Sequence, residues 1–399
     1  MNYNLSISTF IDYLLIFALL ACSGIPFFTG DRYIILLFLI SLSVFIYRNK
    51  KIDLFIIGFL SLYILLLIVQ ATYSKYFYIT RIIGPCLRIL SAYFVVKSIG
   101  SKFTEIFVKW MTFFAIVSIP FYVGLLISTS KTLSLFNPLC EIIQKHSYME
   151  FHAPQMIIYT FNFGVETHTI RNSGAFWEPG GFGLYLNLAF ILNTVCSKTL
   201  INRTNIILLI ALATTLSTAS YILCAFFILS YLLIQYQTKY IVFILPVLIL
   251  LFGYLYTSVE FLNEKISRQL LQIQYSSVDY QSRTRFVSAL ADWEVFKKNP
   301  VFGAGVFQLS EEQRRTYSNR QMYYRNNGTF NILAIYGLTG FLFYFINALL
   351  SFQIFCKENN THYLLPFILL IAFLLMNSSQ MVYHLPFLWA LTFVFRFSK

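Results

Sequence analysis

Long apolar runs divided by short polar stretches occupy most of the chain. A helix needs about 20 predominantly apolar residues to cross a bilayer. Twelve segments approach that length: 8–28, 33–47, 52–72, 79–99, 104–128, 174–197, 203–217, 219–236, 240–257, 329–350, 363–377 and 384–397. The seventh and eighth are short and meet at Ser217-Thr218-Ala219-Ser220. Read as one helix, they would hold about 34 apolar residues and overshoot any bilayer. Two longer polar stretches interrupt the pattern, about 129–173 and about 258–328. In the second, Phe286, Leu290, Trp293 and Phe296 recur at helical spacing between Arg283 and Lys298, with Ser282 as cap and Asn299-Pro300 as stop. This predicts an amphipathic helix lying in the membrane interface. The pattern therefore predicts an all-α polytopic membrane protein, a single integral membrane domain over 1–399. It has about twelve transmembrane helices and two large loops, the second containing the amphipathic helix.

Composition agrees: 58% of residues are hydrophobic, 19% aromatic and only 11% charged, against about 25% charged in soluble domains. The formal charge of +13 would suit nucleic acid, but its carriers lie in short clusters between apolar runs. Arg48, Lys50, Lys51, Lys97, Lys102, Lys198, Arg203, Lys239, Lys357, Arg396 and Lys399 fall on one side of the predicted membrane. The opposite short loops offer Arg32 and Lys75. The positive-inside rule then places both termini in the cytoplasm and both large loops on the outer side of the membrane. No nucleic-acid partner is expected.

The N-terminus lacks a basic n-region and a small-residue cleavage site, so the first apolar run reads as a retained helix. Cys22, Cys86, Cys196, Cys224 and Cys356 lie in or beside apolar segments and Cys140 in a loop. None has metal-ligand spacing. His146, His152, His168, His362 and His384 are likewise not spaced as ligands, and no phosphate-loop glycine pattern or nucleophile elbow is present. No metal and no cofactor is expected, so a reaction would draw its energy from the substrate. An activated lipid-linked diphosphate meets that need.

Charges at membrane depth narrow the chemistry. Arg81 and Arg88 stand two turns apart on one face of the fourth segment, and an intramembrane arginine usually faces a cavity or a partner. Asp12 is read as marking the start of the first segment. Arg171-Asn172-Ser173-Gly174-Ala175-Phe176-Trp177-Glu178-Pro179 carries an arginine and a glutamate to the mouth of a helix that begins at Pro179. Arg325 stands before another helix start. Helix N-termini present unpaired N–H groups and a positive dipole end, so arginines beside them suit a phosphate or diphosphate.

Three motifs in order carry a family resemblance. They are Arg171-x-x-Gly174-x-Phe176-x-Glu178-Pro179, Arg285 leading into Asn299-Pro300-Val301-Phe302-Gly303-Ala304-Gly305, and Asn326-Asn327 followed by Gly337-Leu338-Thr339-Gly340. With the twelve-segment layout, the chain resembles the O-antigen ligase/Wzy-polymerase superfamily over most of its length. The resemblance implies a metal-independent glycosyltransferase acting on undecaprenyl-diphosphate-linked glycan, with a flippase and a chain-length regulator of the same pathway as partners. It implies that Arg171 and Arg285 bind the lipid diphosphate, with Arg283 and Arg325 as second-choice partners. Glu178 would orient or deprotonate the acceptor hydroxyl, or else cap its helix and pair with Arg171. Asn326 and Asn327 would hydrogen-bond sugar or backbone; apart from the resemblance, Arg88 and Arg81 are candidate substrate contacts by their depth in the membrane, Arg81 alternatively snorkelling to the outer edge. Ligases of the superfamily open the last motif with a histidine, where this chain has Asn326. That favours polymerisation of repeat units over transfer of glycan to lipid A core; a lipid-linked oligosaccharide flippase is the alternative from another class.

Overall fold

A computed structural model describes residues 7–73, 77–145, 153–162, 169–235, 285–306 and 326–397. The ninth apolar segment, Ser282, Arg283 and Arg325 lie outside these residues. The described chain is helical: α1 (Ile7–Gly24), α2 (Asp31–Tyr47), α3 (Leu54–Tyr73), α4 (Thr80–Ile99), α5 (Phe103–Ile127), α6 (Thr129–Lys145), α7 (Pro179–Ser197), α8 (Arg203–Thr214) and α9 (Thr218–Gln235). After these come α10 (Arg285–Lys298), α11 (Gly328–Glu358), α12 (Leu365–Ser379) and α13 (Pro386–Leu391). Among the described residues, six helical stretches are long and apolar enough to cross a membrane, α4 and α5 counting as one continuous run. The helices α8 and α12 are apolar but shorter.

Three expectations change in detail. The stretch 129–173 is not all loop, because 129–145 form the helix α6. The last segment, 384–397, is the six-residue α13 followed by a separate turn at Val394–Phe397. At 12 residues, α8 is only about 18 Å long, too short to span a bilayer, so it turns back within the bundle.

Helix α7 forms the axis. Sixteen of its 19 residues are buried, which fits a helix apolar on every face and enclosed by its neighbours. Its far end is tied to α8 by Asn205, whose Nδ2 donates to Thr194 Oγ1 at 3.0 Å. Closer to its start, Gly183 leaves room for Ser220, and Asn187 Nδ2 donates to the Ser220 carbonyl at 3.0 Å. The α8–α9 corner therefore lies deeper than the first turn of α7. At the opposite end of the bundle, Arg48 pairs with buried Asp12 at 2.6 Å and donates to the Ser98 carbonyl at 2.7 Å. Asp12 is thus a structural ion partner.

Helix α10 is held on α11 by a backbone joint. Gly337 (φ 63°, ψ −166°) breaks α11, freeing peptide groups on both sides of the break. The Asn299–Gly305 stretch takes them up: Ala304 and Gly305 donate to the Ala334 and Ile335 carbonyls at 2.8 and 3.0 Å, and Leu338 donates to Pro300 at 2.8 Å. Buried Gln70 of α3 clamps the joint, its Nε2 donating to the Phe302 and Ile335 carbonyls at 2.7 and 2.8 Å.

Candidate functional site

The site forms where the Arg171 loop, the start of α7, the start of α10 and the α12–α13 connection meet. Asn172 sets the loop. Its buried side chain donates to Ser118 of α5 at 2.9 Å and Thr214 of α8 at 2.8 Å, and accepts from the Gly174 N–H at 2.9 Å. Gly174 turns the chain with φ 51°, where a Cβ would stand 2.8 Å from the Phe182 ring. So anchored, Arg171 donates from Nε to the Thr215 carbonyl at 3.2 Å, which places it beside the sunken α8–α9 corner.

Glu178 occupies the N-cap position of α7 without capping it. Its carboxylate instead stands 3.6 Å from Arg285, and accepts a hydrogen bond from Gln380 Nε2. Both charged side chains are partly open, at 35% exposure for Arg285 and 38% for Glu178. Gly180 contributes no side chain here; a Cβ on it would lie 2.7 Å from Gln380, 3.1 Å from Glu178 and 3.4 Å from Arg285. The bare first turn of α7 is thereby left facing two polar groups from distant parts of the chain. Burial lowers the Arg171 pKa, the Glu178 charge works against that, and the Arg285 charge adds to it. Burial likewise lowers Arg285, opposed by Glu178. Two guanidinium groups near enough to feel each other and the same single carboxylate carry an excess of positive charge that an anionic ligand would relieve.

The remaining predicted residues divide into two groups. Asn327 caps α11, accepting from the Phe330 N–H at 3.1 Å, so it serves backbone. Asn326 is exposed, and its N–H donates to Ser288 of α10 at 2.8 Å. Arg81 and Arg88 do not join the Arg171–Arg285 site. They line a separate cavity of about 700 Å³ with Asp31, Asn331, Tyr336, Tyr383 and His384. Arg88 is 3.4 Å from Asp31.

Sequence reasoning passed over Gln380 and Asp292. Gln380 closes the polar run Asn377-Ser378-Ser379-Gln380 at the end of an apolar helix, and that run was its signal. Asp292 is fully buried on the same face of α10 as Arg285, and Asn331 Nδ2 donates to both its oxygens at 3.4 Å. Tyr383 donates to Asn331 Oδ1 at 2.9 Å. Among the described residues no three His, Cys, Asp or Glu side chains gather as a metal site.

Comparison with known proteins adds one match: residues 204–345 fit the family model described as O-antigen ligase. Over those residues, about a third of its length, the chain is similar to the O-antigen ligase family. The matched region covers Arg285, Asp292 and the Gly303–Gly337 joint, while Arg171, Glu178 and Gln380 lie outside it. No curated protein matches the chain. The superfamily's members are glycosyltransferase-like enzymes, polymerases or ligases.

Proposed function

We propose that this protein polymerises undecaprenyl-diphosphate-linked oligosaccharide repeat units at the periplasmic face of a bacterial inner membrane. The observation that carries the reading is Arg285 set against Glu178 at the uncovered start of α7, with Arg171 seven positions before Glu178 and within reach of both charges. The two guanidinium groups grip the diphosphate of the donor, whose lipid tail stays in the bilayer. In the transfer, the bond between the anomeric carbon and the phosphate oxygen breaks, and the departing diphosphate keeps its electron pair. The acceptor hydroxyl oxygen bonds to that carbon, and its proton passes to the Glu178 carboxylate. Arginines aimed at the departing phosphate stabilise charge where it builds up, the largest contribution in much of enzyme catalysis. Gln380 holds the carboxylate in place.

Asn326 supports polymerase over ligase. An amide takes up no proton at neutral pH, so the general base expected of the superfamily's ligases is missing from that position. The test is a deletion strain complemented with the gene or its variants, with surface polysaccharide resolved on a gel. Wild type restores a ladder of chain lengths and Arg285→Ala leaves single repeat units. A deletion strain that accumulates full-length, lipid-linked polymer would assign the ligase reaction instead. One that traps repeat units on the cytoplasmic side would assign a flippase.

A further inference from the structure

A polymerase of this kind must hold two lipid-linked diphosphates at once, one giving its glycan and one receiving it. The Arg171–Arg285 site has the charge for one diphosphate. The cavity lined by Arg81 and Arg88 stands apart from it, yet the same short connection borders both. Gln380 reaches Glu178, while Met381, Tyr383 and His384 line the cavity. From Gln380 to His384 the chain can span at most about 14 Å, so sugars attached to ligands in the two places can meet. Asn331 makes a second link, lining the cavity while donating to Asp292 on the helix that begins with Arg285.

The cavity is built for an amphipathic ligand. Its polar lining has two arginines, an asparagine, a histidine and tyrosines, while Ile34, Ile35, Ile83 and Leu87 supply an apolar flank. Ile35 and Ile83 are each 49% exposed on helices that the sequence places in the bilayer, so this flank opens toward lipid. The single carboxylate at the cavity, Asp31, is itself exposed and leaves the pair of arginines in excess. An anionic headgroup can sit between Arg81 and Arg88 while its hydrocarbon tail leaves past the isoleucines.

We propose that the Arg81–Arg88 cavity is a second binding site for a polyprenyl diphosphate, the one that carries the acceptor repeat unit. The assignment to acceptor rests on the polymerase reading above, whereas the binding site can be tested without it. Gly84 provides a clean probe. It lines the cavity, and a Cβ placed on it meets nothing within 4 Å. Gly84→Leu therefore fills the cavity without straining the helix and removes no charge, complementing Arg88→Ala.

The full chain, in nanodiscs of phosphatidylcholine, is titrated with geranylgeranyl diphosphate and the stoichiometry read by calorimetry. Two molecules per chain are expected for wild type, and one for each of Arg88→Ala, Gly84→Leu and Arg285→Ala. The double variant Arg88→Ala/Arg285→Ala binds none. Unchanged stoichiometry in Arg88→Ala and Gly84→Leu, or a wild-type stoichiometry of one, overturns the second site. Unchanged stoichiometry in Arg285→Ala alone overturns the first site and leaves the second standing. Inorganic pyrophosphate is expected to compete at least tenfold more weakly than the lipid. Equal competition by pyrophosphate would make the cavity a free-diphosphate site, and equal competition by phosphatidylglycerol a general anionic-lipid site; either result overturns the proposal.

Discussion

Gly303 and Gly337 lie backbone to backbone, so close that a Cβ on Gly337 would come within 2.5 Å of the Gly303 nitrogen. Both have positive φ, and Gly337 adopts a conformation essentially closed to other residues. Two motifs that look chemical in the sequence thus meet as a hinge-pin, with no reacting group. Gly337→Ala should destabilise the protein by about 2 kcal/mol or more, read as a lower melting temperature in detergent. Gly84→Ala, which meets open space, should leave that temperature unchanged.

Arg285 and Arg171 are expected to govern rate through charge. Either alanine variant should slow polymerisation of a purified lipid-linked repeat unit by about 100-fold or more, the usual cost of removing one preorganised donor from a developing oxyanion. Arg285→Lys keeps the charge but loses the two-pronged geometry, and should fall between wild type and alanine.

Asn172 touches no substrate in this reading, yet its loss should cost activity. Asn172→Ala leaves the buried Gly174 N–H without its acceptor, a penalty of about 1–3 kcal/mol. It also releases the loop that aims Arg171. Melting temperature and polymer yield should fall together.

Gln380 is expected to act through Glu178. Gln380→Ala should reduce polymerisation moderately. Gln380→Glu should be worse near pH 8, because two carboxylates at hydrogen-bond distance cannot both ionise without repulsion. The activity of Gln380→Glu should therefore fall below that of Gln380→Ala in the same assay.

Much of this architecture could be read from residue order. The start of α7 at Pro179 follows from a polar loop running into an apolar stretch behind a proline. The end of α10 follows from Asn299-Pro300, and the seven-residue spacing of Arg81 and Arg88 correctly puts them on one lined surface. The break at Gly337 was hidden because the apolar run continues through it, and what satisfies its freed peptides lies more than thirty positions upstream in the chain. Gln380 was hidden for a similar reason. Its partner Glu178 is 202 positions away, a separation that no local pattern reports. Glu178 does not cap its own helix; its carboxylate faces Arg285 and Gln380.

The shortness of α8 has a consequence for where this protein can work. Because that helix ends early, the carbonyl that receives Arg171 lies beneath the rim of the bundle, and the guanidinium follows it down. Mobile ions screen charges in open water far more than charges tucked into protein. A site facing outward must operate at whatever salinity the surroundings impose. On the proposed reading, sinking one of its cations below the rim would make the grip on a phosphate less sensitive to salt than that of an arginine in open water.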